Sequence, residues 1–158
     1  MVALLLFSGC AYQPMKKYRK QIVGDRVYTK VRVYMRDPRN AIYIKNAVNE
    51  AVIERFGSHL SDKEHADTKI EIRVKRVGFS PLSYDRYGYA KYYRTTVTLE
   101  FIYERNGVKK RLTTNGFYDF GVDANSVITD TLRFEAIKES ANKAIDQFIA
   151  RIYAMGAA

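Results

Sequence analysis

Cations alternate with tyrosines along much of this chain. Between Arg26 and Arg36, Lys30, Arg32 and Arg36 share alternate positions with Tyr28 and Tyr34. Lys69, Arg73 and Lys75 repeat the spacing, and Arg94 stands two residues from Tyr92. Successive side chains of an extended strand point to opposite faces, so each of these sets falls on one face. A flat surface of ammonium and guanidinium groups set among phenols suits a ligand with phosphates beside sugar or acyl surface. Cations meet the phosphates, and each phenol adds apolar area with a polar tip.

Tyr84, Tyr87, Tyr89, Tyr92 and Tyr93 form a second aromatic cluster, at a loop and the start of a strand. Aromatics gathered at a tip suit contact with a partner, and Tyr84 and Tyr87 are the candidates. Tyr89 and Tyr93 fit cross-strand packing instead. Catalysis finds no matching pattern. His59 and His65 lie in a polar loop without an H-E-x-x-H frame, and Asp119 and Asp123 flank a loop with nothing beside them to activate. Nucleophile-elbow, Walker and dinucleotide motifs are absent. The expectation is a binding protein with no catalytic residues, no cofactor and no metal.

The chain of 158 residues has 27 Lys and Arg against 17 Asp and Glu, a formal charge of +10. Hydrophobic residues make up 47% and charged ones 28%, a balance that folds, and the length points to one domain. With one cysteine, Cys10, the chain cannot form an internal disulfide or a cysteine zinc site. No apolar run approaches the roughly 18 residues of a membrane-spanning helix.

The elements that position these residues follow from periodicity. Val27, Thr29, Val31, Val33 and Met35 alternate with the outward set, a half-buried strand. Asp37-Pro38 starts a helix, with Asp37 as cap, that buries Ile44, Val48, Ala51, Val52 and Phe56 and stops at Gly57. Ile70, Ile72 and Val74 form a second strand, and the shift of parity to Val77 and Phe79 predicts a bulge near Lys75–Arg76. A loop is expected from Ser80-Pro81 to about Gly88. The third strand, about Tyr89 to Glu104, is joined to a fourth, Val108 to about Phe120, by a type I′ turn at Asn106-Gly107. A closing helix from near Thr129 to Thr131 presents Phe134, Ile137, Ala141, Ala144, Ile145, Phe148 and Ile152, and residues 154–158 are expected to fray. The order β-α-β-β-β-α predicts an α+β fold, a two-layer sandwich with a four-stranded sheet covered on one face by two helices.

The N-terminus reads as an address. The apolar run Val2–Phe7 ends in Ser8-Gly9 before Cys10, and Phe7-Ser8-Gly9-Cys10 resembles the bacterial lipobox, whose cysteine carries lipid in the mature chain. Residues 1–9 are therefore expected to be a signal peptide, truncated at its start, since it has no basic segment. Residues 10–25 are expected to form a lipidated tether, and residues 26–155 the single domain.

Taken together, several segments resemble the LptE family of outer-membrane lipopolysaccharide-assembly lipoproteins. They are the lipobox with Ala11-Tyr12-Gln13-Pro14, the strand Val27–Met35 and Ala47-Val48-Asn49-Glu50-Ala51 in a helix ending at Arg55-Phe56-Gly57. The Ser80-Pro81 turn, the strand Thr95–Tyr103 and the closing Arg133-Phe134-Glu135-Ala136-Ile137 complete the set. The resemblance implies anchoring by the Cys10 lipid in the outer membrane of a Gram-negative bacterium, with Ala11 rather than Asp directing the chain there. It implies a seat within the large LptD-like β-barrel, which the protein plugs and helps to assemble, and binding of lipopolysaccharide on its way to the cell surface. In that light Lys30, Arg32, Arg36, Lys69, Arg73, Lys75 and Arg94 become candidate ligands for lipopolysaccharide. Two other readings remain open. One is an adaptor or pilotin-type lipoprotein of another envelope machine, without affinity for lipopolysaccharide. The other is a nucleic-acid binder, although the aromatic signature of RNA-recognition sheets is absent and the expectation is no nucleic acid.

Overall fold

The computed structural model describes residues 24–33, 38–123 and 127–156. Four strands build one sheet: β1 (Val27–Val33), β2 (Thr68–Tyr84), β3 (Ala90–Arg105) and β4 (Val108–Gly121), side by side in chain order. Helix α1 (Pro38–Phe56) connects β1 to β2, which makes those two strands parallel, and helix α2 (Asp130–Gly156) closes the chain. The other two strand pairs are antiparallel. This is the expected two-layer α+β sandwich with both helices on one face, and its sheet is mixed.

Alternation places the core. Val27 and Val31, Ile70, Ile72 and Val74, and Val97, Leu99, Phe101 and Tyr103 all point beneath the helices, where Val48, Val52, Phe56, Ile137, Ile145, Phe148 and Ile152 meet them. Phe101 and Phe148 stack face to face at 4.1 Å. A smaller cluster around Phe120, Val122 and Ala136 packs with Phe79, Tyr93 and Tyr118. The helices are also tied to each other. Arg55 of α1 makes a double contact with Asp146 of α2, at 2.7 and 3.1 Å. Lys138 lies within 3.1–3.5 Å of Glu50, Glu54 and Glu135. Thr129 caps α2 by accepting the Leu132 amide on its hydroxyl at 3.2 Å.

The bulge falls where parity predicts it, between Val74 and Arg76, and leaves Lys75 as the extra residue. At the β3–β4 turn, Asn106 and Gly107 have φ of 49° and 75°, the paired positive values of a type I′ hairpin. Two expectations change. β2 does not give way to a loop at Ser80-Pro81 but runs on to Tyr84, paired with β3 as far as Ala90. Beyond Val74, β3 is the only strand among the described residues that pairs with β2, and Pro81 sits at a register shift, so its missing N–H costs little. Helix α2 continues through Gly156 rather than fraying from residue 154, held by Ile152, which is 3% exposed. The expected cap Asp37, and Tyr34, Met35 and Arg36, lie outside the described residues, as does everything before Gly24, Cys10 included.

Candidate functional site

The strands, not the helices, carry most of the excess charge. The four strands hold twelve Lys and Arg against four Asp and Glu, whereas the two helices hold seven against six. Register lines the open face up in rows. One row runs Arg32, Arg73, Glu100 and Thr113 across β1 to β4, and the next runs Lys30, Glu71, Ile102 and Arg111. A third runs Tyr28, Lys69, Glu104 and Lys109.

Like charges would repel where Arg32 faces Arg73. Glu71 resolves this by lying between them, 3.0 Å from the Arg32 Nε and 2.8 Å from the Arg73 Nε. Arg73 reaches on to Glu100 at 3.5 Å, and Arg111 approaches the other Glu100 oxygen at 4.0 Å. The result is a ladder of guanidinium and carboxylate groups across all four strands. Glu100 is 9% exposed, and a carboxylate that deep requires such partners. The hydrogen bond from Arg73, with the charges of Arg32, Arg73 and Lys30 behind it, holds the Glu71 carboxyl below the usual carboxylate range.

Beside the ladder lies a depression of about 200 Å³, lined by Tyr28, Lys30, Lys63, Lys69, Ile102 and Lys109, with Arg32, Glu71 and Glu104 also on its walls. Five cations and two carboxylates border it, an excess of three positive charges. At the far end of the sheet, Arg94 and Asp119 form a two-pronged pair, 2.7 Å on each arm, which lowers the Asp119 carboxyl below its usual range.

The β2–β3 hairpin ends in a tight turn. The Asp85 carboxylate accepts the amides of Tyr87 and Tyr89 at 2.8 and 3.0 Å, and Gly88 adopts φ +85°. The turn displays Tyr84 and Tyr87, 61% and 69% exposed, and Arg86 lies over the Tyr87 ring at 4.7 Å.

A sequence model of the LptE family, described as lipopolysaccharide-assembly, matches residues 28–152, which take in all four strands but for Val27 and nearly all of both helices. The chain belongs to the LptE family. No curated protein matches the sequence significantly. Among solved structures, a Caulobacter crescentus protein described as a lipoprotein is 14% identical, covers 83% of this chain and 90% of its own, and superimposes with a TM-score of 0.50. Rare lipoprotein B from Shewanella oneidensis is 12% identical over 81% of this chain and 98% of its own, with a TM-score of 0.49. At 14% identity the likeness to the Caulobacter structure concerns the fold alone.

Within this LptE-family sheet the residues singled out from sequence do not form one uniform patch. Lys30, Arg32, Lys69 and Arg73 share the open face near the ladder and the depression. Lys75 is exposed on the bulge, outside the rows, and Arg94 stands with Asp119 toward the hairpin. Sequence reasoning missed Lys109 and Arg111, although both have the parity opposite to Leu112 and so belonged to the open face. Lys63 carried no signal, because it arrives from the non-periodic loop before β2.

Proposed function

We propose that this LptE-family chain binds lipopolysaccharide through the helix-free face of its sheet while seated in a large LptD-like outer-membrane β-barrel, which it plugs and helps to assemble. In this reading a lipid on Cys10 anchors it in the outer membrane of a Gram-negative cell, and its role is non-catalytic. Lys30, Arg32, Arg36, Lys69, Arg73, Lys75 and Arg94 contribute to the ligand face, and Tyr84 and Tyr87 to partner contact.

One observation carries the reading: the excess positive charge of the folded elements is concentrated in the sheet, one face of which no helix among the described residues covers. Phosphates of lipopolysaccharide are the complementary ligand. Titration of the purified domain with lipopolysaccharide is the test, with expected binding that weakens as salt rises. Absence of binding, together with failure to co-purify with a barrel, would sink the proposal in favour of an adaptor lipoprotein of another envelope machine.

A further inference from the structure

The depression on the open face has a composition that the ladder beside it lacks. In the ladder, Arg32, Arg73 and Arg111 all approach Glu71 or Glu100, so their charge is largely answered within the protein. Lys30, Lys63, Lys69 and Lys109 make no ion pair within 4.0 Å among the described residues. Glu104 faces both Lys69 and Lys109 in register and pairs with neither at that distance.

We infer that this depression is a subsite for a phosphate carried on a sugar ring: Lys30, Lys63, Lys69 and Lys109 receive the phosphate, and Tyr28 and Ile102 receive the ring. The inference rests on the lipopolysaccharide reading above and narrows it to one moiety and one set of side chains. Volume supports the choice. About 200 Å³ is below the roughly 300–1,000 Å³ of a pocket for a drug-sized molecule and on the scale of one phosphorylated ring. Side-chain chemistry agrees. Each lysine is a compact point charge with rotatable donors, able to converge on one phosphate from several strands, whereas the neighbouring guanidinium forks are engaged with carboxylates. Ile102 points to the open face yet is 8% exposed, so it forms an apolar floor beneath the lysines. Glu104, without an ion-pair partner among the described residues, is placed to accept a hydroxyl of the ring. Lys63 enters from the loop before β2 and borders the site from outside the sheet.

The test compares the wild-type protein with K63Q/K109Q and with a charge-matched control on the helices, K45Q/K143Q. Lipid A and its dephosphorylated form are titrated against each, and glucose 1-phosphate and glucose are followed by NMR at Ile102 and Tyr28. Expected are at least tenfold weaker binding of lipid A by K63Q/K109Q, unchanged binding by the control, and a smaller preference of K63Q/K109Q than of the wild type for lipid A over its dephosphorylated form. Glucose 1-phosphate, and not glucose, should shift Ile102 and Tyr28 in the wild type. Equal lipid A affinity in wild type and K63Q/K109Q would overturn the subsite while leaving lipopolysaccharide binding in place. Shifts with glucose 1-phosphate but no binding of lipid A would support the subsite for a free sugar phosphate and overturn the lipopolysaccharide role. Thermal melts of all three proteins should coincide, which separates lost affinity from lost fold.

Discussion

Gly116 of β4 lies directly under the backbone of Ser140 in α2, so close that a methyl group there would overlap the Ser140 carbonyl oxygen. Small residues and hydroxyl groups make the close approach possible. Thr114 donates its hydroxyl to the Ala144 carbonyl at 2.6 Å, and Ser140 donates to the Thr95 carbonyl at 3.2 Å. Gly116→Ala should therefore push helix and sheet apart and destabilise the fold by about 3 kcal/mol, near the upper end of overpacking costs. Gly57→Ala, where nothing lies within 4 Å of the added carbon, should be close to neutral. Chemical denaturation of both variants checks the contrast.

Phe148 is 1% exposed and stacked on Phe101. Truncation to alanine removes a full aromatic side chain from the interface of α2 with β3 and should cost about 3–5 kcal/mol. Phe148→Leu, which keeps most of the volume, should cost much less. Urea midpoints at constant m-value measure the difference.

Acid should weaken the fold with a defined sign. Hydrogen bonds from Asn142, Arg73 and Arg94 lead the causes that lower the carboxyls of Glu54, Glu71 and Asp119 from ordinary values of 4.5, 4.5 and 3.8. A lowered carboxyl stabilises the native state above its unfolded value, and that contribution is lost as pH falls through the folded value. The melting temperature should thus drop below about pH 4.5, and E71Q should flatten the drop. An identical acid profile for E71Q would contradict the ladder as the origin.

Replacing Tyr84 and Tyr87 together by serine should leave the melting temperature unchanged, since both rings are more than half exposed. If the hairpin tip contacts the barrel, the same variant should recover less barrel in pull-downs from solubilised membranes. Full recovery would remove the tip from the contact surface.

If Cys10 carries the lipid, Cys10→Ala should abolish incorporation of labelled fatty acid, because the variant has no thiol to acylate. Persistence of label in this variant would place the lipid elsewhere.

The fold was legible where alternation was uninterrupted. Parity along Val27–Val33 and Thr95–Tyr103 separated core from open face, and the loss of parity at Lys75 marked the bulge. The end of β2 was not legible, because Pro81 reads as a strand breaker unless its position on a lightly paired stretch is known. The answered charge of Arg94 was available in principle. Counting outward from the Asn106-Gly107 turn pairs Arg94 with Asp119, as register confirms. Neutralisation of Arg32 and Arg73 was harder to see, since it depends on Glu71 and Glu100 meeting them from adjacent strands. Lys63 had no pattern to betray it, because only the tertiary path of its loop brings it to the sheet.

The parallel pairing of β1 with β2 has a consequence for reach. Val27 lies beside Thr68, the first residue of β2, while the tyrosine tip lies past its last, Tyr84. At about 3.3 Å per residue, the 17 residues of β2 span roughly 55 Å. The end of the domain where the chain enters β1 and the aromatic tip are thus opposite poles of a stiff rod. A membrane tether leading into β1 would hold one pole, and the other would probe at a distance set by strand length. Trimming the hairpin in matched pairs of residues would shorten that distance by about 7 Å per two pairs without touching either pole.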